Sequence, residues 1–312
     1  MIKEIKGKSI NMALSKGQKL RRRKENIIGY SFILMSCIGF IMFMAFPLCY
    51  SLFISFMDWS MFKGLEGSTF IGISNYVAAL QNEYFITGFF NNVILMVIVV
   101  PALMIISLVI ATLLNGKIFA RGLLRASYFM PYIAVTTASA LVFSGIFNPD
   151  FGPINEGLKL LGITNPPGWV VSSFWAIPTV GIFLIWKSVG YCIVIYLASL
   201  QGISSSYYEA AAIDGATKFQ QFMKITVPLI SPTSFFLLIT NVIYAFRTFE
   251  EVQILTEGGP GSSSYTMIFS IYQKGFTEFD MGAASAQAWI YFVLVLIVTA
   301  FQFWGQKKWV NY

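Results

Sequence analysis

The sequence predicts an all-α membrane protein with six transmembrane helices and with both chain ends in the cytoplasm. Three observations support this prediction: the composition, the number of long apolar segments, and the distribution of lysine and arginine. Of the 312 residues, 56% are hydrophobic and only 11% are charged, whereas about 25% of the residues in a soluble domain are charged. So few charges do not cover the surface of a soluble protein, and the composition therefore indicates a membrane protein.

Six apolar segments are long enough to cross a bilayer, which takes about 20 residues of helix. They are residues 27–56, 89–114, 127–147, 174–200, 229–255 and 283–304. Several of them contain an internal proline, which membrane helices tolerate when neighbouring groups satisfy the freed backbone. Among these prolines are Pro47, Pro101, Pro131 and Pro178. The first segment is too long for a cleaved signal peptide and has no small-residue cleavage site after it, so we expect it to be a span.

Lysine and arginine are concentrated in alternate connections between the segments. Nine of the 21 lie in the first 25 residues, and the second connection, the fourth connection and the C-terminal tail raise the total on this side to 16. The other side has three, namely Lys63, Lys159 and Lys274. Because positively charged loops stay in the cytoplasm, this distribution predicts six spans with both ends inside.

These segments divide the chain into three parts. They are a basic cytoplasmic tail at 1–26, a transmembrane domain at 27–304 and a short cytoplasmic tail at 305–312. The basic tail is expected to be flexible or bound to anionic lipid. The outer connections, at about 57–88, 148–173 and 256–282, are too short for an independent folded domain.

The composition also excludes several kinds of site. The chain has no histidine, which excludes His-ligated metals and histidine proton relays. Its three cysteines, Cys37, Cys49 and Cys192, lie in apolar segments, where we expect small buried side chains and no disulfide. Topology explains the net charge of +7, so nucleic acid is not expected as a partner. The chain contains no Gly-x-x-x-x-Gly-Lys-Ser/Thr segment, so any ATP hydrolysis that drives it takes place on another subunit.

The fourth connection, residues 201–229, has a helical pattern outside the apolar segments. Ser206 and Glu209 have the spacing of a capping box. The alanines at 210–212 favour helix, and Gly215 is able to end that helix in the left-handed conformation.

A second helix is predicted directly after Gly215. Thr217 and Gln220 repeat the capping pattern, and Pro228 ends the segment. We therefore expect two short helices outside the membrane. They form either a structured loop alone or a knob, carrying Glu209 and Asp214, that enters a groove on a partner.

The spacing of this connection closely resembles the Glu-Ala-Ala loop of binding-protein-dependent ABC importer permeases. In that family the loop is the coupling helix, which docks into a cleft of the cytoplasmic ATPase. The resemblance therefore implies an ATPase-coupling role for the matching residues. They are Glu209, Ala210, Ala211, Asp214, Gly215, Ile225 and Pro228.

Further segments resemble the carbohydrate permeases of this family, in the first-permease subset of the maltose, lactose and glycerol-phosphate systems. Residues 255–260 are similar to the Leu-Thr-x-Gly-Gly-Pro signature, which implies that Gly258, Gly259 and Pro260 lie on the outer face where the binding protein docks. Shorter matches are Gly72-Ile73-x-Asn75-Tyr76, Phe246-Arg247-x-Phe249-Glu250 and Ala283-Ala284-x-Ala286. The resemblance covers about residues 27–304, without the extra spans and large outer domain of the maltose permease.

The resemblance implies a type I ABC importer permease fold and a role in sugar import. It also implies three partners: a second homologous permease, two copies of a cytoplasmic ATPase, and an extracytoplasmic solute-binding protein. The expected location is a bacterial or archaeal cytoplasmic membrane. The chain is then a transport subunit and not an enzyme, and it holds no cofactor, because the partner ATPase binds ATP and magnesium.

Polar residues within the fourth and fifth segments are candidates for the substrate path. Lys187 lies near the middle of the fourth segment, where a charge is expensive and often functional. The other candidates are Ser188 and Tyr191 near it, and Asn241, Tyr244 and Thr248, which share one face of the fifth segment. Hydroxyl, amide, ammonium and aromatic groups suit a sugar. The positions also resemble those that line the midplane sugar site of the maltose permease.

The residues leave alternatives open. The polar face has a second interpretation as a packing surface against neighbouring helices, and Arg247 has the helical spacing to pair with Glu250 or Glu251. Lys187 also suits an anionic substrate such as glycerol phosphate. For the whole chain, the alternatives are a secondary transporter without an ATPase and, ranked last, a membrane-embedded enzyme. The spans offer no paired carboxylates or metal cluster for the latter.

Overall fold

The computed structural model describes residues 16–62, 64, 66–116 and 121–307, and its regular structure is almost entirely helical. The helices are α1 (Lys16–Phe40), α2 (Phe46–Ile54), α3 (Ser74–Gln81), α4 (Glu83–Asn115), α5 (Arg121–Ile133), α6 (Thr136–Ile146), α7 (Pro153–Leu160), α8 (Ala176–Gln201), α9 (Ser205–Ile213), α10 (Lys218–Gln221), α11 (Val227–Leu229), α12 (Ser231–Phe246), α13 (Glu250–Leu255), α14 (Met267–Tyr272) and α15 (Met281–Gln306). Strands β1 (Met57–Asp58) and β2 (Thr69–Phe70) pair antiparallel. Single π-helical turns lie at Ile41–Ala45, Phe222–Thr226 and Gln273–Thr277, and a 3₁₀ turn lies at Trp169–Val171.

Four helices of the described residues are long and apolar enough to cross a membrane. They are Lys24–Ile54, Glu83–Asn115, Ala176–Gln201 and Met281–Gln306. Two further apolar pairs are bent, α5 with α6 by 96° and the helix ending at Leu229 with α12 by 66°. The structure therefore contains four candidate spans, or six if each bent pair crosses as one. The helical membrane fold is confirmed at this level.

The chain divides into two compact units, before and after Ile54. In the first unit, α1 runs through a π-helical turn into α2. Since α1 begins at Lys16, the end of the predicted flexible tail is helical, whereas residues 1–15 and 308–312 lie outside the described residues. The prediction that Cys37 and Cys49 are buried is wrong, because both are exposed on this helix.

The second unit is organised by α8, which packs against both α4 and α5. Helices in a membrane associate through close packing, which small residues permit. At Gly190 of α8, an added Cβ would lie 1.8 Å from the carbonyl oxygen of Tyr128 on α5. Glycine is therefore required there, and its position fixes α5 against α8. Cys192 is buried on α8, as expected.

The third predicted span, 127–147, is not one helix. It divides into α5 and α6, with the break at Ala134 and Val135. Pro131 lies just before the break, where it removes a backbone donor, and the β-branched residues that follow it are poor helix formers. Pro131 is therefore not a tolerated kink within one helix, because the chain turns by 96° there.

The fifth predicted span, 229–255, is also divided, because α12 ends at Phe246 and α13 begins at Glu250. Asn92 of α4 explains this end. Its amide nitrogen donates to the carbonyl oxygens of Ala245 and Phe246, at 3.0 and 3.2 Å. A helix leaves its last carbonyl groups without helical partners, and here a side chain from another helix satisfies two of them.

Candidate functional site

A cavity of about 750 Å³ lies where the α5–α6 break, α8 and α12 meet. Its volume is within the range of small-ligand sites, about 300–1,000 Å³. All six residues predicted for the substrate path line it: Lys187, Ser188, Tyr191, Asn241, Tyr244 and Thr248. The two polar clusters of the sequence thus form a single site, although Thr248 lies beyond the end of α12.

Lys187 stabilises the backbone at the break between α5 and α6. It is 7% exposed, and its Nζ donates to the carbonyl oxygen of Ala134 at 2.7 Å. Ala134 directly follows the last residue of α5, and a cation is favourable at a helix C-terminus. The expectation that Lys187 faces protein or a cavity is confirmed, and the structure shows that it does both.

Tyrosines form one wall of the cavity. The rings of Tyr132 and Tyr191 stack, with centroids 4.9 Å apart and an interplanar angle of 19°. The hydroxyl of Tyr244 is buried beside Ser188, but it forms no hydrogen bond of acceptable geometry with any described group. A buried hydroxyl without a partner is costly, so this group is available to a ligand that offers one.

The predicted pairing of Arg247 with Glu250 or Glu251 is wrong. Among the described residues, neither glutamate comes within 4 Å of the Arg247 guanidinium, although other lysine–glutamate pairs of this kind are present. The reason is the break after Phe246, because spacings of three and four residues bring side chains together only on a continuous helix. All three charged residues instead line the cavity.

The α5–α6 break contributes a part of the cavity that the polar pattern of the sequence does not predict. Tyr132, Ala134, Val135 and Thr136 line this side. The signal was Pro131 followed by β-branched residues, which predicts a helix end as well as a kink. Thr240 and Ile268 also line the cavity, and nothing in the local sequence distinguishes them.

The connection at 201–229 consists of two short helices, as predicted, but its first cap differs. The side chain of Ser204, not Ser206, caps α9 by accepting from the backbone N–H of Ser206. The predicted Ser206–Glu209 capping box is therefore wrong. Gly215 has a φ of +76°, its N–H donates to Ala212, and the next N–H donates to Ala211. These two bonds are the Schellman pattern that ends a helix.

The second helix of this connection begins with the predicted capping box, in which Thr217 and Gln220 bond reciprocally. The pair Tyr208–Thr226, with hydroxyls 2.9 Å apart, ties the two helices together. Of the residues predicted for coupling, Glu209, Ala210, Asp214 and Gly215 are exposed, and Ala211, Ile225 and Pro228 are half-buried. Large apolar side chains are exposed beside them: Tyr207, Ile213, Phe219 and Met223.

The Gly-Gly-Pro signature forms a tight turn between α13 and α14. Gly258 has a φ of +82°, and the Gly259–Pro260 peptide bond is cis. A Cβ at Gly258 would lie 2.6 Å from the ring of Phe269 and 2.7 Å from the ring of Tyr265. Burial raises the pKa of Tyr265, and the neighbouring Tyr84 adds to this shift. The turn is therefore packed onto aromatic rings and accepts no side chain at its first glycine.

Two asparagines of α4 connect this Gly-Gly-Pro turn to the cavity wall. Asn91 donates to the carbonyl oxygens of Ser263 and Tyr265, at 2.9 and 2.8 Å. Asn92 bonds the end of α12, as described above, and also accepts from the N–H of Met267 at 2.9 Å. In addition, the hydroxyl of Thr266 donates to the carbonyl oxygen of Thr248 at 2.8 Å. The side chains of Asn92 and Thr266 thus connect the segment after the turn to the segment that lines the cavity.

Residues 12–310 match the family of binding-protein-dependent transport system inner membrane components. The chain is 34% identical to the probable ABC transporter permease protein YurN of Bacillus subtilis over 89% of this chain and 96% of that protein. It is 35% identical to the sn-glycerol-3-phosphate transport system permease protein UgpA of Pectobacterium atrosepticum, over 93% and 97% of the two chains.

Its fold is shared with a chain in the crystal structure of a bacterial ABC transporter involved in the import of the acidic polysaccharide alginate. The TM-score is 0.78, the identity is 22%, and the match covers 94% of this chain and 99% of that one. Family membership favours the importer over the secondary transporter and the enzyme. The chain therefore belongs to the family of inner membrane components of binding-protein-dependent transport systems, and it is a transport component and not an enzyme.

Proposed function

We propose that this chain is one permease subunit of an ATP-driven sugar importer with the type I permease fold. It crosses a bacterial cytoplasmic membrane six times, with both ends in the cytoplasm, as its lysines and arginines indicate. The observation that carries the proposal is the single cavity lined by all six substrate-path candidates. The relative named for sn-glycerol-3-phosphate transport and the fold relative that imports alginate both handle hydroxyl-rich substrates.

The cavity suits a sugar in two ways. Asn241, Ser188 and the unpartnered hydroxyl of Tyr244 offer hydrogen bonds to sugar hydroxyls. The stacked rings of Tyr132 and Tyr191 offer an apolar face for a sugar ring. Sites for small ligands combine such apolar walls with a few convergent polar groups.

A second homologous permease forms the other half of the pathway. Two copies of a cytoplasmic ATPase hold ATP and magnesium, and an extracytoplasmic binding protein delivers the substrate. The relative that imports alginate has been crystallised with its periplasmic protein bound to an alginate pentasaccharide, which supports this arrangement for the family.

The connection at 201–229 is the contact with the ATPase. Its exposed apolar residues support this role, since Ile213 is 88% exposed and exposed apolar patches on a polar loop mark interaction sites. When the ATPases close on ATP, they move α9 and the helix after Gly215, and this movement rocks the spans. The cavity then opens alternately to the two sides of the membrane.

The turn at Gly258, Gly259 and Pro260 is the contact with the binding protein. Asn91, Asn92 and Thr266 support this role, because they tie the segment after the turn to the segment that lines the cavity. Docking at the outer face is thereby communicated to the cavity through a few hydrogen bonds.

The test is uptake of labelled sugars into proteoliposomes that contain the complete complex. Uptake is expected to require ATP on the side of the membrane that carries the ATPases and the binding protein on the opposite side. Tyr244→Phe is expected to raise the KM for uptake several-fold, because it removes a hydroxyl that only the substrate satisfies. Tyr196→Phe is the matched control, because the hydroxyl of Tyr196 donates to the hydroxyl of Ser234 at 3.2 Å and does not line the cavity.

Two results would contradict the proposal. One is equal KM values for Tyr244→Phe and Tyr196→Phe, which would remove the cavity from the substrate path. The other is uptake by the purified chain alone, driven by an ion gradient without ATP, which would support a secondary transporter.

A further inference from the structure

The cavity contains both signs of charge in equal number. Lys187 and Arg247 are cationic, Glu250 and Glu251 are anionic, and all four line it. Arg247 and Glu250 are exposed, whereas Lys187 and Glu251 are 7% and 6% exposed. Exposed charges are screened by solvent, so the two buried ones dominate the local field.

The buried cation is already used by the protein. The ammonium of Lys187 lies 2.7 Å from the carbonyl oxygen of Ala134, at the C-terminus of α5, where the aligned peptide dipoles are negative. Its positive charge therefore stabilises the backbone carbonyl groups at the end of α5. Lys187 retains two N–H groups for neutral acceptors, but much of its positive potential is cancelled locally.

The buried Glu251 lies in a different environment. Glu251 lies in the first turn of α13, beside the backbone N–H groups of Phe249 and of Glu251 itself. No cation lies within 4 Å of its carboxylate among the described residues. A carboxylate accepts hydrogen bonds from hydroxyl groups, and it repels a second anion strongly where water is scarce.

We infer that this cavity takes an uncharged, polyhydroxylated ligand and disfavours an anionic one, with Glu251 as the residue that sets the preference. The inference rests on the proposed function and narrows its substrate class. It separates this chain from the relative named for sn-glycerol-3-phosphate and from the fold relative that imports the acidic polysaccharide alginate. Lys187 is then a positioning residue for the α5–α6 break and not a receptor for an anion.

The test compares uptake of two probe sets by the complete complex in proteoliposomes. One set contains neutral mono- and disaccharides, and the other contains their uronic acid and phosphate counterparts. The wild type is expected to take up a neutral member and to exclude its anionic counterpart. Glu251→Gln, which keeps the shape and removes the charge, is expected to raise the anionic-to-neutral uptake ratio by about tenfold, equivalent to about 1.4 kcal/mol.

Glu156→Gln is the control, because this glutamate lies on α7 in an exposed pair with Lys159 and does not line the cavity. It is expected to leave the ratio unchanged. The binding protein is the same in every arm, so its own selectivity cancels when variant and wild type are compared. A role of Glu251 in folding alone would lower both rates together and leave their ratio unchanged.

Preferential uptake of the anionic probes by the wild type would overturn the inference, as would an unchanged ratio in Glu251→Gln. Both outcomes leave the sugar importer intact. A complex that hydrolyses ATP in response to its binding protein but takes up neither probe set would instead overturn the proposed function, and the inference with it.

Discussion

The connection at 201–229 and the central cavity are built in opposite ways. In the connection, the bonds that begin and end the helices join residues close in sequence, such as Thr217 with Gln220 or the N–H of Ala216 with Ala211. In the cavity, Lys187 reaches Ala134, 53 residues away, and Asn92 reaches Ala245, 153 residues away. The two regions should therefore respond separately to substitution: a change in the connection alters coupling, and a change at the cavity's supports alters the fold.

The largest effect is expected at the crossing of α5 and α8. Gly190→Val places atoms where the backbone of Tyr128 already lies, 1.8 Å from the Cβ position, and a backbone clash does not relax as a side chain does. We expect a loss of more than about 4 kcal/mol or no folded subunit, measured by size-exclusion chromatography and by thermal unfolding in detergent.

The control for this substitution lies on the same helix. A Cβ at Gly181 meets its nearest neighbour, a Val99 methyl group, at 3.5 Å, which is an ordinary contact. Gly181→Ala is therefore expected to be neutral or slightly stabilising, since alanine favours helix over glycine by about 1 kcal/mol. Normal folding of Gly190→Val would show that α5 and α8 do not cross as described.

The next largest effect is expected at the end of α12. Asn92→Ala removes three buried hydrogen bonds and should cost about 2–3 kcal/mol, because the carbonyl group of Phe246 and the N–H of Met267 lose this partner. The carbonyl group of Ala245 keeps its bond from the hydroxyl of Thr248. Asn91→Ala removes two partly buried bonds and should cost less. Thermal unfolding in detergent gives both values. Equal losses would mean that the bonds of Asn92 do not support the cavity wall specifically.

The smallest effect on stability is expected in the connection at 201–229. Gly215 has a φ of +76° with open space around it, so Gly215→Val introduces about 1–2 kcal/mol of local backbone strain and no clash. We expect ATP-driven uptake to fall sharply while the subunit still folds. Gly215→Asn should retain more uptake, because asparagine tolerates the left-handed conformation. Equal uptake by the two variants would separate the coupling role from this backbone geometry.

The contrast also explains what the sequence could predict. The helix end at Gly215 and the capping box at Thr217 depend on neighbouring residues, and both are confirmed. The first cap is predicted at Ser206 but lies at Ser204, two residues earlier. Three consecutive serines offer competing caps, and local rules do not choose among them. Hydropathy located the apolar segments for the same reason, since each segment carries its own signal.

Distant groups stabilise the breaks in the third and fifth segments, although Pro131 gives the first of these breaks a local signal as well. Lys187 satisfies the carbonyl of Ala134, and Asn92 satisfies the end of α12. No window of sequence contains both partners of either bond. The six polar candidates nevertheless line one cavity, as expected where a polar residue within an apolar span is costly unless it faces protein or water. That Tyr132 and Glu251 line the same cavity follows only from the tertiary fold.

The central claim is that this cavity is the water-filled path of the substrate, and thiol labelling tests it most directly. In a chain whose Cys37, Cys49 and Cys192 are replaced by alanine, Tyr244→Cys is assembled into the complete transporter and exposed to a water-soluble thiol reagent. The control is Leu296→Cys on α15, whose side chain is exposed on an apolar helix.

We predict that Tyr244→Cys is labelled, that the transported sugar with its binding protein slows this labelling, and that Leu296→Cys in the lipid stays unlabelled. Labelling of Leu296→Cys but not of Tyr244→Cys in every nucleotide state, or labelling of Tyr244→Cys at a rate that the sugar does not change, would contradict the account.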